Sequence, residues 1–448
     1  MLIIKNKLSA SQFEIVFALG VLIFCVTRGV IPILFADPGL AKPTYIISFL
    51  FGITLSLYGL YFCLFASHRT NFQLPRKLMI INLALYLIWW IPILFFKHDI
   101  DWLLAPVYSG LFLFSAFVFS RVPTKFVFQA LGFLTIVIAG FLIVEYIEVN
   151  TFFFENGREA AFQRQKILRP EIFEAWGSTG DFVRPNGLFG FRPHDSANAL
   201  AVLSVFWLSL SLTSKRVLPF VLGLVSFAAL LMTTSASNIL AALGGIIFVL
   251  VVICKKIMYE RKLITLLIFF IIGSAVFISI LYGTADQIPF LWAWTYRVSS
   301  ETGAWSEMIE LGSFSLGDLL SLFIGHGISF EISTLFNNSE IGLLKGIAEL
   351  GIFHFALFLY VLLYPYFFYR KQLLFNQDAL PYVAAVLVGV LSLWHYGSLL
   401  RVTNAFIFLA LYAQSFVIGG ARVTPNRLKS IYSPHLAPAL ISYHDPRS

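Results

Sequence analysis

The sequence predicts an all-α, polytopic integral membrane protein with about twelve transmembrane helices and two long external loops, and three observations support this fold class. First, 59% of the 448 residues are hydrophobic and only 12% are charged, whereas about a quarter of a soluble globule is charged. Second, apolar runs approaching the roughly 20 residues that a spanning helix needs recur along the whole chain. Third, lysine and arginine collect in alternate connections between these runs. We therefore expect the lipid bilayer to be the solvent of this fold.

Twelve apolar runs are predicted to be membrane spans. In order they cover residues 13–33, 44–66, 78–96, 101–120, 126–148, 197–213, 217–232, 238–254, 263–283, 341–368, 379–397 and 401–420. The 48 Phe and 9 Trp residues suit a lipid-facing surface with aromatic belts at the two interfaces. Cys25, Cys63 and Cys254 lie in or beside these runs, so they are predicted to be small apolar side chains.

Basic residues predict which ends of the spans face the cytoplasm. Both terminal segments and every even-numbered connection are basic: Lys5 and Lys7; Arg69, Arg76 and Lys77; Arg121 and Lys125; Lys215 and Arg216; Lys255, Lys256, Arg261 and Lys262; Arg370 and Lys371; and Arg422, Arg427 and Lys429. With twelve spans these segments share one side, which the positive-inside rule assigns to the cytoplasm. Both termini are thus predicted to be cytoplasmic. The pattern also accounts for much of the formal charge of +8, so no nucleic-acid partner is expected.

Two long connections on the opposite side are predicted to carry the function of a single polytopic domain, 1–448. They cover residues 149–196 and 284–340, and loops of this length in a compact domain are usually functional. The second contains "LGDLLSLFIGHG", which is apolar but too short to span and therefore indicates a re-entrant segment. Both loops contain arginines that depart from the positive-inside trend, so we expect these arginines to serve a purpose other than topology.

The first loop ends in "DFVRPNGLFGFRPHDSANALA", residues 181–201, where the chain re-enters the membrane. Arg184 and Arg192 lie eight residues apart in a segment that proline and glycine would bend. The planar guanidinium fork suits phosphate oxygens. Lipid headgroups, or pairing with Asp181 and Asp195, would also account for either arginine. Two arginines in one bent segment at the membrane edge favour an anionic ligand.

Further candidate residues lie in the second loop and near the end of the chain. His326 stands between two glycines, where it can approach a substrate or simply occupy a solvated turn. Glu340 opens the tenth span, where a carboxylate also suits the helix dipole. Arg297 lies in the second loop, and "LWHYGSLLRVTNAFIF" places His395 and Arg401 at the external mouth of the last two spans.

Four motif regions give the chain a family resemblance over residues 181–420. They are "RPNGLFGFRPHDSANALA", "MTTSASNILAALGG", "YRVSSETGAWSEMIELGS…FIGHG" and "SEIGLLKGIAELGIFHFALFLY". In their order, spacing and placement on one membrane face they resemble the O-antigen polymerase and ligase superfamily of bacterial polysaccharide assembly. The second region resembles a Ser-Arg-Gly element of the family, but Ala236 and Asn238 stand there and the arginine is absent.

The resemblance implies a membrane glycosyltransferase whose donor is a glycan on undecaprenyl diphosphate. It implies a site on the periplasmic face of the bacterial inner membrane, without metal or cofactor, that makes O-antigen or exopolysaccharide. Arg184, Arg192, Arg297 and Arg401 would bind the diphosphate, Glu340 or His326 would activate the acceptor hydroxyl, and His194 and His395 would lie on the acceptor side. A chain-length regulator and a flippase of the same pathway are the implied partners.

Two alternatives stay open beside a polymerase. The ligase branch of the resembled family carries a His-Asn-like pair before the long span, whereas this chain reads "NNSE" there, with Asn337 and Asn338 and no histidine. That departure favours a polymerase over a ligase. A polysaccharide flippase would also suit twelve spans, but such transporters often show two similar halves, and no matching half-repeat is recognisable in this sequence.

Overall fold

A computed structural model gives the fold of much of the chain. It describes residues 12–66, 74–96, 107, 110–150, 160, 163–164, 185, 187–188, 193–257, 323, 347, 350–369, 377–394 and 402–421. The regular secondary structure of these residues is helical, and no strand occurs among them.

The α-helices are numbered in chain order. They are α1 Gln12–Thr27, α2 Val30–Leu34, α3 Ala41–Tyr61, α4 Arg76–Phe96, α5 Ser115–Phe119, α6 Thr124–Asn150, α7 Pro193–Ser214, α8 Val217–Met232, α9 Ala236–Ile257, α10 Ile352–Tyr369, α11 Leu380–Leu391 and α12 Val402–Ala421. Short 3₁₀ turns at Pro38–Leu40, Leu111–Phe114 and Ser392–Trp394, and a π turn at Phe62–Ala66, adjoin these helices.

Prolines mark several of the helix starts, where a missing backbone N–H costs no intrahelical hydrogen bond. Pro193 is the first residue of α7. Pro75 and Pro123 directly precede α4 and α6, and their carbonyl oxygens accept from the N–H groups of Leu78 at 3.0 Å and Phe126 at 2.9 Å. Proline therefore defines where these three helices begin.

Five helical segments are long and apolar enough to cross a membrane. They are Pro38–Phe65, Thr124–Val149, His194–Ser214, Ser237–Cys254 and Ile352–Tyr369, and four shorter apolar helices of 10–17 residues accompany them. By length and composition these helices indicate a membrane-embedded protein. The count of twelve spans stays a prediction, because the run 263–283 lies outside the described residues.

The predicted span 341–368 is not one continuous helix. Gly351 has a φ of +79°, in the left-handed region, and α10 begins only at the next residue. The Gly351 N–H donates to the Ile347 carbonyl at 2.8 Å, so a helical turn closes just before this glycine. A residue in the left-handed conformation ends a right-handed helix, and glycine takes that conformation without a steric cost.

Helix α7 forms the centre of the bundle. In α7, 72% of the most apolar 18-residue stretch is buried. In the other four long segments the buried share of the corresponding stretch is only 33–44%. Helix α7 packs against α6, α8, α9, α11 and α12. The fully buried Trp207 donates from its indole N–H to the Thr135 hydroxyl of α6 at 2.8 Å. Gly245 of α9 allows close helix packing, because a Cβ there would lie 2.3 Å from Val388 of α11.

The outer surface of the bundle carries large apolar side chains. Phe13, Val16, Ile136, Leu240 and Phe353 are each more than 60% exposed. Exposed phenylalanine and aliphatic side chains on apolar helices are what a lipid-facing surface requires. The surface and the helix lengths therefore point to the same membrane environment.

An ion pair and a side-chain amide connect several helices at the end of the bundle that contains Glu14. The Glu14 carboxylate accepts from Arg121 at 3.1 Å and from the Tyr58 hydroxyl at 3.0 Å. The Gln414 side-chain N–H₂ donates to the Phe119 and Val122 carbonyls at 2.9 and 3.1 Å. These contacts connect α1, α3, α12 and the turn that leads into α6.

Candidate functional site

The opposite end of the bundle contains a buried polar cluster. Its centre is the first turn and a half of α7, where His194, Asp195, Ser196 and Asn198 are all at most 7% exposed. Asp195 at a helix start is favoured by the helix dipole, yet burying four polar side chains together is costly unless hydrogen bonds satisfy them. Three other segments of the chain form hydrogen bonds with residues of this turn.

The turn between α8 and α9 approaches from one side. The hydroxyl of Ser235 lies 3.1 Å from Nδ1 of His194, and it accepts from the Asn238 side-chain N–H₂ at 2.9 Å. Thr234 adopts a φ of +50°, and the Ser235 N–H donates to the Thr233 hydroxyl at 3.3 Å, which fixes this turn. Two motif regions, "RPNGLFGFRPHDSANALA" and "MTTSASNILAALGG", are thereby joined through side chains.

The end of α11 and the start of α12 close the cluster on another side. Asn198 donates from its side-chain N–H₂ to the Ser392 hydroxyl, which itself donates to the Gly389 carbonyl at 2.7 Å. Asn404 donates to the backbone carbonyl of Asp195 at 3.0 Å. Each of these side chains is at most 3% exposed, so the last two helices hold the start of α7 through buried hydrogen bonds.

Helix α6 holds Gly187, a residue just before α7 along the chain. The Glu145 carboxylate, 1% exposed, accepts from the N–H of Gly187 at 2.7 Å. Gly187 has a φ of +73°, and a Cβ at this position would lie 2.5 Å from the Ser196 hydroxyl. Only glycine fits both the conformation and the space. Gly187 is thus held between the end of α6 and the start of α7.

Three polar atoms in this region have no hydrogen-bond partner among the described residues. They are the side-chain carbonyl oxygens of Asn238 and Asn404 and the hydroxyl of Ser237. Buried polar atoms in folded proteins are almost always paired with protein, water or ligand. Counting only the described residues, these three atoms leave hydrogen-bonding capacity for a polar molecule such as a sugar hydroxyl or water.

The structure describes one of the eight predicted site residues. His194, expected on the acceptor side, is part of the buried cluster, and its contact with Ser235 fixes the imidazole ring. The other seven lie outside the described residues, so their placement stays a prediction: Arg184, Arg192, Arg297, Arg401, Glu340, His326 and His395.

Sequence reasoning did not single out Glu145, Asn198, Ser392 or Asn404. One signal was available for Glu145, because an ionisable residue near the end of an apolar run is costly in lipid and usually has a partner. The asparagines and the serine carry no such signal, since either residue is common in exposed helix ends. Among the described residues, no group of three or more His, Cys, Asp or Glu side chains could hold a metal ion.

Comparisons with protein-family models, with curated proteins and with solved structures found no match for this chain. The fold and the buried cluster describe a helical, membrane-embedded protein with a polar site at one end of its bundle.

Proposed function

We propose that this chain is a membrane glycosyltransferase that polymerises oligosaccharide repeat units carried on undecaprenyl diphosphate, at the external face of the bacterial inner membrane. The observation that carries the proposal is the buried polar cluster at the start of α7. It follows directly, along the chain, the arginine-bearing segment on which the family resemblance rests. Within that segment, Gly187 is held beside the cluster by its hydrogen bond to Glu145.

The proposed reaction transfers a glycosyl group between two lipid-linked glycans. The acceptor hydroxyl oxygen forms a bond to the anomeric carbon of the donor, and the bond from that carbon to the diphosphate oxygen breaks. The undecaprenyl diphosphate leaves with the bonding electron pair, and Arg184, Arg192, Arg297 and Arg401 would stabilise its charge. The hydroxyl proton passes to a base, Glu340 or His326.

Besides positive charge, such a site needs hydrogen-bonding groups for the sugar hydroxyls, and the cluster supplies them. Asn238 and Asn404 present carbonyl oxygens that lack partners among the described residues, and these can accept hydrogen bonds from sugar hydroxyls. His194 lies between them in the hydrogen-bonded network, through Ser235 on one side and the neighbouring Asp195 carbonyl on the other. We assign the cluster to binding of the acceptor glycan.

Glycan profiling of a deletion strain tests the proposal. Loss of a polymerase leaves caps of a single repeat unit, whereas loss of a ligase leaves full-length polymer on its lipid carrier. Loss of a flippase would instead leave single repeat units on the cytoplasmic side. In addition, the purified full chain in detergent should consume lipid-linked donor, which a flippase does not.

A matched pair of variants tests the role of the cluster. Asn404→Ala should shorten the polymer or abolish it in the complemented deletion strain. Asn82→Ala should not, because Asn82 is equally buried, 1% exposed, but lies in α4. Equal polymer from both variants, with equal amounts of protein in the membrane, would remove the cluster from the proposed site.

A further inference from the structure

A groove lies between α6 and α8 at the end of the bundle opposite the polar cluster. Its volume is about 590 Å³, inside the roughly 300–1,000 Å³ range of small-molecule sites. The buried side chains of Trp207 and Leu222 and the partly buried ring of Phe128 line it. Trp207 is held by its hydrogen bond to Thr135, and its ring lies 4.7 Å from that of Phe128, centroid to centroid. The Trp207 ring is therefore held in place within the lining of the groove.

The groove is open towards the outer surface of the bundle. Two of its lining residues, Phe133 and Ile136, are 50% and 61% exposed. Its α6 wall runs from Thr124 to Ile136, which corresponds to about 18 Å along a helix. One leaflet of a bilayer core is about 15 Å thick. The whole α6 wall, from its polar end to Ile136, is thus about as long as one leaflet of the bilayer core is thick.

Two cations line the same groove. Lys125 lies in the first turn of α6, and Arg216 directly precedes α8. Both side chains are exposed, and neither forms an ion pair within the described part of the chain. The polar side chains of Thr124 and Gln129 lie beside them. Positive-inside topology explains basic residues in two separate connections, but it does not require them to share one apolar groove.

We propose that this groove binds one anionic glycerophospholipid, independently of the proposed glycosyltransferase activity. Its phosphate lies between Lys125 and Arg216, and one acyl chain follows α6 past Trp207. Basic pockets between membrane helices recognise anionic headgroups in this way. A zwitterionic lipid would place its own ammonium group near two cations, and like charges repel. The site should consequently prefer phosphatidylglycerol to phosphatidylcholine.

Native mass spectrometry of the purified full chain in detergent tests the headgroup preference. The probes are phosphatidylglycerol and phosphatidylcholine with identical acyl chains. Each lost cation should weaken phosphatidylglycerol binding about fivefold, so Lys125→Gln combined with Arg216→Gln should weaken it about thirtyfold and leave phosphatidylcholine unchanged. Lys215→Gln is the matched control, because Lys215 is exposed beside Arg216 but does not line the groove. Equal binding of the two lipids by the wild-type chain, or unchanged phosphatidylglycerol binding by the double variant, would overturn the proposal.

A second pair of variants tests the acyl-chain path. At Gly132 the first side-chain carbon would lie 3.9 Å from both Trp207 and Leu222, so the further carbons of Gly132→Leu would extend into the groove. That variant should lose binding of both lipids. Gly140→Leu is the control on the same helix, since no atom lies within 4 Å of a Cβ there. Wild-type lipid binding by Gly132→Leu, in a chain that elutes as folded protein, would exclude the groove as the binding site.

Discussion

Replacing Gly187 by alanine should destabilise the protein where this glycine packs against Ser196 of α7. The backbone at this residue has a φ of +73°, which costs an alanine about 1–2 kcal/mol. The new Cβ would also lie 2.5 Å from the Ser196 hydroxyl and 3.2 Å from Leu142. Overpacking of this kind costs about 1–3 kcal/mol. The two contributions together give an expected loss of about 2–5 kcal/mol.

The two contributions can be separated with a second substitution. Ser196→Ala removes the hydroxyl that the new Cβ would meet, so Gly187→Ala should cost less in a Ser196→Ala background than in the wild type. The part of the overpacking loss that comes from the 3.2 Å contacts with Leu142 and the Ser196 Cβ should remain. The loss from the left-handed backbone, about 1–2 kcal/mol, should remain. Gly140→Ala on α6 is the control; it adds a methyl group in open space and should be neutral or slightly stabilising.

The assay is unfolding of the purified full chain by sodium dodecyl sulfate in mixed micelles, followed by tryptophan fluorescence. The same variants should be compared for polymer yield, because Gly187 lies between Arg184 and Arg192 along the chain. If Gly187→Ala is as stable as the wild type, or if Ser196→Ala recovers none of the loss, the described packing at this turn is refuted.

Further predictions concern the anchor, the charges, the base and the topology. Glu145→Leu leaves the Gly187 N–H unpaired and should cost about 1–3 kcal/mol in the same unfolding assay, whereas Glu145→Gln retains an acceptor and should cost less. Arg184→Ala should abolish polymer while Arg184→Lys retains part of it, because lysine lacks the bidentate fork; full activity of the alanine variant would exclude this arginine. Glu340→Gln should lower the polymerisation rate about a hundredfold or more if Glu340 is the base, but a helix-capping glutamate would tolerate the change. A cysteine at Ser178 should react with an impermeant reagent from outside and one at Ser214 should not; the reverse result would contradict the predicted orientation.

Local patterns in the sequence determined most of the helices. The apolar run 217–232 has the bounds of α8, and the predicted spans 126–148 and 401–420 differ from α6 and α12 by at most two residues at either end. A helix in lipid satisfies its own backbone hydrogen bonds, so a sufficiently long apolar run is enough to specify it. The break at Gly351 was not predicted, because a lone glycine inside an apolar run is compatible with a continuous helix as well as with a left-handed end.

Only the tertiary structure decided that polar ends of separate helices meet around His194. Asn404 and Asp195 are 209 residues apart in the chain, and Asn198 and Ser392 are 194 apart. Each side chain alone could equally lie at an exposed helix end, which is where asparagine and serine commonly occur. Which of them are buried together depends on how α6, α7, α9, α11 and α12 pack side by side. That packing results from the shapes of all the helix surfaces at once, so no local stretch of sequence contains it.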